Sequence, residues 1–255
     1  MKAIRIRPLG PTHYGTRQIP SPATAARDDV WHMPPPSTLL GALGQLAGVK
    51  IQCEEKSPRG ALKALLKLKE ELGIRAIWGP IAVVKGAYVL PTLDGFLGQG
   101  PAEKTRRIGL ALTPHKTAAP GHLYAATYAK PYEAIYFIDA DQVPTGLVRL
   151  GGEGRLALIE QTQEDPTPWL PPKKGQAVLI TPMLIPEGPP PCVKQIKNPR
   201  VVQWGLGYSE VCKQRRPLYP ALPPGTHLEI ENCNPTEGHL SQLGYGALAN
   251  HKTPP

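Results

Sequence analysis

Proline and glycine divide this sequence before any other feature does. Proline occurs 32 times and glycine 26 times in 255 residues, so a continuous helical pattern has few places to run. Two stretches escape. "PPPSTLLGALGQLAGVK" opens a helix after its prolines, with Ser37 or Thr38 placed to cap it. In the second, Ser57 caps, Pro58 occupies the first turn, "ALKALLKLKEEL" carries the apolar face and Gly73 ends the helix. Lys67 and Glu71 stand four apart there as a supporting ion pair. Elsewhere the period is two. Ile4 and Ile6 alternate with Arg5 and Arg7, giving a strand with one buried and one basic face. "IAVVKGAYVLPT", "YEAIYFIDA", "RLALIEQ", "GQAVLITPMLI" and "THLEIEN" continue the strands, separated by turns and by the linker "LDGFLGQGPAEKTRR". Runs of strands with a helix near each half's start predict an α+β protein built on two related sheets. The boundary falls near Gly146, dividing residues 1–145 from 146–255.

A net charge of +9 points to polyanionic partners and says nothing about fold. No stretch approaches the roughly 18 apolar residues of a membrane span, and "MKAIRIRP" lacks a hydrophobic signal region. The expectation is a cytoplasmic protein with no membrane partner. Cys53, Cys192, Cys212 and Cys233 form no C-x-x-C pair and read as reduced, buried or incidental thiols, with no metal site. There is no G-x-x-x-x-G-K-[ST] phosphate loop. "GYGALA", from Gly244 to Ala249, leaves no room for the strand and helix that a dinucleotide site requires. Zinc-protease and nucleophile-elbow motifs are missing too, and no cofactor is expected. The histidines are scattered, with His13 and His32 flanking the first loop and His115 and His122 in a second. A loop histidine beside RNA can act as a general base, although a solvated or hydrogen-bonded ring is the simpler reading.

The cations cluster with glycine. In "VRLGGEGRLALIE", Gly151, Gly152 and Gly154 permit positive φ and close approach, while Arg149 and Arg155 flank them with guanidinium forks suited to phosphate. A plain hairpin is the competing explanation. Lys104, Arg106 and Arg107 close a glycine-containing loop that also holds Phe96. In "QWGLGYSEVCKQRRP", Trp204 and Tyr208 bracket glycines ahead of Lys213, Arg215 and Arg216. Aromatic faces beside cations offer stacking for bases and charge for phosphates, the requirements of single-stranded nucleic acid.

Four segments, in order along the chain, resemble the RAMP proteins of CRISPR effector complexes. "MPPPSTLLGALGQL" is similar to the P-S-T-L-x-G-A-L-R segment that opens the first helix of group-five RAMPs. "GLVRLGGEGRLALIE" resembles the LGGE-x-R signature of the third subunit of Cmr modules. "GLGYSEVCKQRRPLYPALPPGTHLEIE" resembles that subunit's GW…P…R…VPAGSVY passage, and "LSQLGYGALA" its closing G-x-G stretch. The resemblance implies two ferredoxin-like, RRM-like halves with glycine-rich loops. It also implies a non-catalytic subunit of a type III complex, which holds the repeat-derived 5′ handle of the guide RNA. Its implied partners are that RNA, a large polymerase-like subunit and a neighbouring RAMP backbone subunit. Arg17, Ser37 and Thr38 join the cations, glycines and aromatics above as candidate RNA contacts. Gly44 replaces the family's usual basic residue and Leu206 its tryptophan. The chain is short for the family, which implies reduced peripheral hairpins. A metal-independent repeat-processing endoribonuclease, as some RAMPs are, is the alternative; His13, His32 or Tyr14 would supply its acid or base.

Overall fold

The structure is a computed structural model that describes residues 1–19, 27–112, 118–152 and 154–251, with the side chains of 17–29 and 108–125 left out of the description. Strand β1 (Lys2–Pro8) leads to a hairpin, β2 (Tyr14–Ile19) and β3 (Arg27–Trp31), and then to two helices, α1 (Pro36–Leu46) and α2 (Pro58–Glu71). β4 (Ala76–Val84) and β5 (Ala87–Val89) follow, then a small hairpin of β6 (Gly95–Phe96) and β7 (Gly100–Pro101). A long hairpin, β8 (Lys104–Leu112) and β9 (Ala118–Ala129), precedes β10 (Glu133–Asp139), β11 (Gly146–Arg149) and β12 (Leu156–Thr162). With nine and twelve residues, β8 and β9 show that a long hairpin survives in this short chain. Its first strand also takes in Lys104, Arg106 and Arg107, which therefore lie on a strand and not in a loop.

The first sheet runs β11–β12–β1–β10–β4–β5, antiparallel throughout. Numbering β1, β4, β10 and β12 as its four main strands gives the order 4-1-3-2 of a ferredoxin-like sheet. The expected boundary near Gly146 falls inside this sheet, because β12 pairs back onto β1 and β11 pairs onto β12. The second sheet is assembled from β13 (Lys174–Leu179), β15 (Val193–Lys197), β20 (His227–Glu231) and β21 (Leu248–Asn250). Its order, β15–β20–β13–β21, is again antiparallel throughout. Between these strands lie β14 (Met183–Leu184), β16 (Val202–Gly205), the hairpin β17 (Tyr208–Ser209) and β18 (Gln214–Arg215), and β19 (Leu218–Leu222). Both α-helices among the described residues belong to the first half, so the helix expected near the start of the second is not found there. Its crossovers are made instead by short strands and a 3-10 turn at Ser241–Leu243. The proline-rich segments around them could not sustain a helix.

Alternation explains the packing. Ile4 and Ile6 face α1 and α2 in the same core as Leu39, Leu40, Leu43 and Leu65. On the opposite face of the first sheet, Trp78, Ile135 and Phe137 meet Val178 and Ile180, on β13 and just beyond it. The intervening residues Ala177 and Leu179 turn to a third cluster with Met183, Leu228 and Ile230. The second half of β13 is thus buried on both faces, and a 2.9 Å hydrogen bond from Trp78 Nε1 to the Leu248 carbonyl also links the two halves.

Helix α2 starts as the sequence predicts: the Gly60 N–H donates to Ser57 Oγ at 3.0 Å, and Gly73 follows the last turn at φ +62°. Helix α1 does not. Its N-cap is Pro35, and no side chain caps it. Pro36 takes the first helical position, where a missing N–H costs nothing, so Ser37 and Thr38 lie within the first turn. The Ser37 hydroxyl instead accepts a 3.0 Å bond from Tyr245. Lys67 reaches Glu54, at 3.7 Å, and not Glu71. The thiol expectation is overturned too. Cys53 is bonded to Cys212 and Cys192 to Cys233, with Cα–Cα distances of 5.1 and 5.2 Å. Partners 159 and 41 residues apart leave no local spacing signal; only the tertiary fold brings them together.

Candidate nucleic-acid interface

A cleft of about 740 Å³ opens between α1, the glycine turn after β11 and the β17–β18 hairpin. Nine of the candidate contacts line it: Ser37, Thr38, Arg149, Gly151, Gly152, Gly154, Tyr208, Arg215 and Arg216.

The glycine turn is held by its own backbone. Leu150 N–H donates to the Arg155 carbonyl at 2.8 Å, and Gly152 N–H to the His13 carbonyl at 3.0 Å. Gly151 has φ +81°, and a Cβ there would lie 2.8 Å from both the His13 carbonyl and the Tyr14 ring. Only glycine meets both demands. Beside the turn, Arg149 is exposed and has no carboxylate partner among the described residues. Arg155 points elsewhere. Its guanidinium lies 4.8 Å from the centre of the Tyr128 ring, which Arg107 also approaches at 5.4 Å. Arg155 does not line the cleft, and neither do the exposed Lys104, Arg106 and Arg107 on β8.

The opposite wall is braced twice against the helices. Arg216 donates to the carbonyls of Ala61, Leu206 and Tyr208 at 3.3, 3.2 and 2.9 Å. Burial lowers its pKa, and no carboxylate among the described residues compensates. The Cys53–Cys212 bond ties the hairpin turn to the loop before α2. Arg216 is therefore part of the frame, whereas Arg215 is exposed and without an acidic partner among the described residues. Lys213, in the turn at φ +50°, is paired with Glu210 at 2.9 Å. Of the two candidate aromatics, Tyr208 is 45% exposed and can stack. Trp204 is 1% exposed and meets Trp31 edge-on at 5.6 Å. It packs the core beside the buried Leu206 and presents no face to a base, a correction to its expected stacking role.

The acid–base candidates separate in the same way. His32 is fully buried among Trp31, Phe96 and Tyr132. Desolvation, reinforced by the Lys104 charge, lowers its pKa to about 3, so it is a neutral core residue. Tyr14 is 2% exposed, and burial pushes its pKa up. Neither suits proton transfer to a bound RNA. His13 lines the cleft, with Nδ1 2.8 Å from the Thr127 carbonyl, so that nitrogen carries the proton. The Arg17 and His122 side chains and all of His115 lie outside the described residues. Near Cys192 and Cys233, Glu237 brings a carboxylate within reach of sulfur, but the sulfurs are bonded to each other.

The sequence reading overlooked part of the floor. Gly41 and Gln45 line the cleft one and two turns beyond Thr38. The 3–4 spacing within "TLLGALGQ" was the available signal.

A search of curated sequences returns no match. The structure superposes on a chain of the type III-B Cmr-beta cryo-EM structure bound to cognate target RNA, with TM-score 0.68, 18% identity and 96% of each chain covered. A second such structure, with cognate target RNA and AMPPnP, gives TM-score 0.66 and 18% identity over 89% of this chain and 86% of that one. These likenesses establish the fold. The family model described as CRISPR-associated protein (Cas_Cmr3) matches residues 96–228. That span is more than half of the chain and includes the glycine turn, the β17–β18 hairpin and Arg215, so this protein belongs to the Cas_Cmr3 family of CRISPR-associated, RAMP-fold proteins.

Proposed function

We propose that this chain is a non-catalytic, RNA-binding subunit of a cytoplasmic type III CRISPR effector complex, and that the cleft holds the repeat-derived 5′ handle of the guide RNA. The carrying observation is the cleft's lining, where two arginines without acidic partners among the described residues, one on the glycine turn and one on the β17–β18 hairpin, border an opening lined by glycine backbone. Guanidinium forks suit phosphate oxygens, and bare glycine backbone admits a strand without side-chain obstruction. Membership of the family and the target-RNA-bound assemblies in which its structural relatives occur support RNA as the polyanion. A large polymerase-like subunit and a neighbouring RAMP subunit complete the proposed partners. No helix among the described residues is long and apolar enough to cross a membrane.

The test is incubation of the purified chain with a labelled repeat transcript, with and without divalent metal. The expected result is a complex whose affinity falls steeply with salt and whose RNA stays intact. Site-specific cleavage lost in His13→Ala would put the endoribonuclease reading first.

A further inference from the structure

The Cys192–Cys233 bond has a neighbour that a plain crosslink does not require. Cys192 stands just before β15 and Cys233 just after β20. The Glu231 N–H donates to the Cys192 carbonyl at 2.9 Å, so strand pairing already sets the two cysteines side by side. Glu237 comes from the turn that follows. One of its carboxylate oxygens and the two sulfurs lie within 4.8 Å of one another, and all three residues are half-buried. None of them lines the cleft.

The glutamate is positioned from two sides. The Asn234 N–H and Nδ2 both donate to Glu237 Oε1 at 2.8 Å. The Glu237 N–H donates to the Gly246 carbonyl at 3.0 Å. Gly246 has φ +69°, and a Cβ there would lie 1.8 Å from the Glu237 carbonyl oxygen, so the backbone approaches as only glycine allows. No lysine, arginine or histidine among the described residues pairs with the carboxylate. A fixed, unneutralised anion against two sulfurs is a ligand set for a soft divalent cation once those sulfurs carry charge.

We infer that reduction converts this crosslink into a zinc site, with Cys192, Cys233 and Glu237 as ligands and water in the fourth position. A dithiol reductant of the kind that keeps cytosolic thiols reduced closes to its own disulfide as two electrons and two protons pass to Cys192 and Cys233. Zinc then displaces both protons and binds the thiolates. A tetrahedral zinc sets its sulfurs about 3.8 Å apart and a carboxylate oxygen slightly nearer, separations that the freed side chains reach by rotation. Asn234 orients the glutamate as outer-shell partners of metal ligands do. Bond or metal then ties β15 to β20, so the second half keeps a crosslink in either redox state. The inference is independent of the RNA reading proposed above.

The experiment uses the full chain, oxidised or reduced by a water-soluble phosphine, which takes oxygen from water to become its oxide. Competition against a chromophoric chelator should show one zinc per reduced chain and none on the oxidised chain. Co2+ in place of zinc should give the near-ultraviolet charge-transfer band of thiolate ligation and the visible bands of a tetrahedral ion. Zinc at a hundredfold excess over its Kd should raise the reduced protein's melting temperature by about 5–10 °C and leave the oxidised protein's unchanged. The double variant Cys53→Ser, Cys212→Ser should bind zinc as wild type does. Glu237→Gln keeps the disulfide and should fold when oxidised; once reduced, it should lose at least the roughly tenfold in zinc affinity that removing an outer-shell partner costs. A reduced chain that takes up no zinc overturns the inference, as does zinc held equally well by the oxidised chain. Affinity unchanged in Glu237→Gln, or abolished in the Cys53→Ser, Cys212→Ser protein, overturns it as well.

Discussion

Two pairs of arginines, on β1 and at the cleft, were equally visible in the sequence and have opposite surroundings in the fold. On the face of β1 opposite the helices, Arg5 meets Glu164 at 2.6 Å and Glu133 at 3.6 Å, and Arg7 meets Glu133 at 3.2 Å and Glu160 at 3.5 Å. Those carboxylates come from β10, from β12 and from the segment after it, so sheet pairing delivers the neutralising charge. At the cleft, Arg149 ends an edge strand and Arg215 lies on a two-residue strand of an isolated hairpin. Among the described residues, no neighbouring strand brings an acid to either. The two arginines in the middle of the sheet acquire partners, while Arg149 at the edge and Arg215 on the hairpin keep their charge available to a polyanion. The net charge of +9 therefore matters less than where the unpaired part of it stands.

The sharpest way to break this comparison is to remove the arginines of each pair in turn. Arg149→Ala and Arg215→Ala should each remove a charge-assisted hydrogen bond to phosphate, costing about 1.5–3 kcal/mol in RNA binding. The salt slope should flatten by roughly 0.7 for each phosphate of a single strand that is no longer neutralised. Arg5→Ala and Arg7→Ala should leave affinity and slope unchanged. Anisotropy titrations across a salt series separate these outcomes. Equal losses from the two pairs would mean that net charge alone governs binding.

A smaller effect is expected from the brace behind Arg215. Replacing both Cys53 and Cys212 with serine opens a loop of 159 residues, which should cost about 2–4 kcal/mol of stability. Urea titrations with and without reductant measure it. RNA affinity should fall less than in Arg215→Ala, because the Arg216 hydrogen bonds to Ala61, Leu206 and Tyr208 still hold the hairpin. Affinity that falls as far as in Arg215→Ala would show that the crosslink, and not Arg216, positions this wall.

Much of this was legible in the chain, and most of the exceptions share a cause. Local chemistry read well: Ser57 caps, Gly73 terminates, and the glycines after Arg149 take up the positive φ and close approach their spacing suggested. The ferredoxin-like order came through resemblance, since no local pattern encodes 4-1-3-2. At α1 the prolines took the cap expected of Ser37 or Thr38, and most of the other failures depended on distant neighbours. Trp204 near Tyr208 looks like a stacking pair, but only the packing against Trp31 decides which of the two is buried. Arg155 looks equivalent to Arg149 across the turn, yet Tyr128, from another hairpin, takes it. Cys53 and Cys212 carry no local sign of each other, and His32 reads as a loop histidine until Phe96 and Tyr132 enclose it. Seven of the nine cleft residues lie on the cationic and glycine-rich loops that converge there, and Ser37 and Thr38 came through the resemblance; Gly41 and Gln45 were missed because a glycine in a helix reads as a weakness unless its surroundings are known.

The smallest expected effect tests the paired side of the comparison by acid. Glu164 is partly buried, which by itself would raise its pKa, but hydrogen bonding and the Arg5 charge outweigh burial and hold it below the usual glutamate range. A carboxyl with a depressed folded-state pKa contributes stability that is complete above its unfolded value, about 4.3. That contribution is lost as pH falls through the folded value. Glu164→Gln should therefore be less stable than wild type at neutral pH, by about 1 kcal/mol for a pair still in contact with solvent. The gap should close as both proteins are taken below about pH 4. Urea melts at pH 7 and pH 3 check the sign, and a gap that widens in acid would contradict it. At neutral pH the same substitution leaves Arg5 with the longer Glu133 contact alone, so RNA affinity at low salt should rise slightly if an unpaired arginine on this face can attract phosphate. Unchanged affinity would show that charge without the cleft's glycine backbone is not enough.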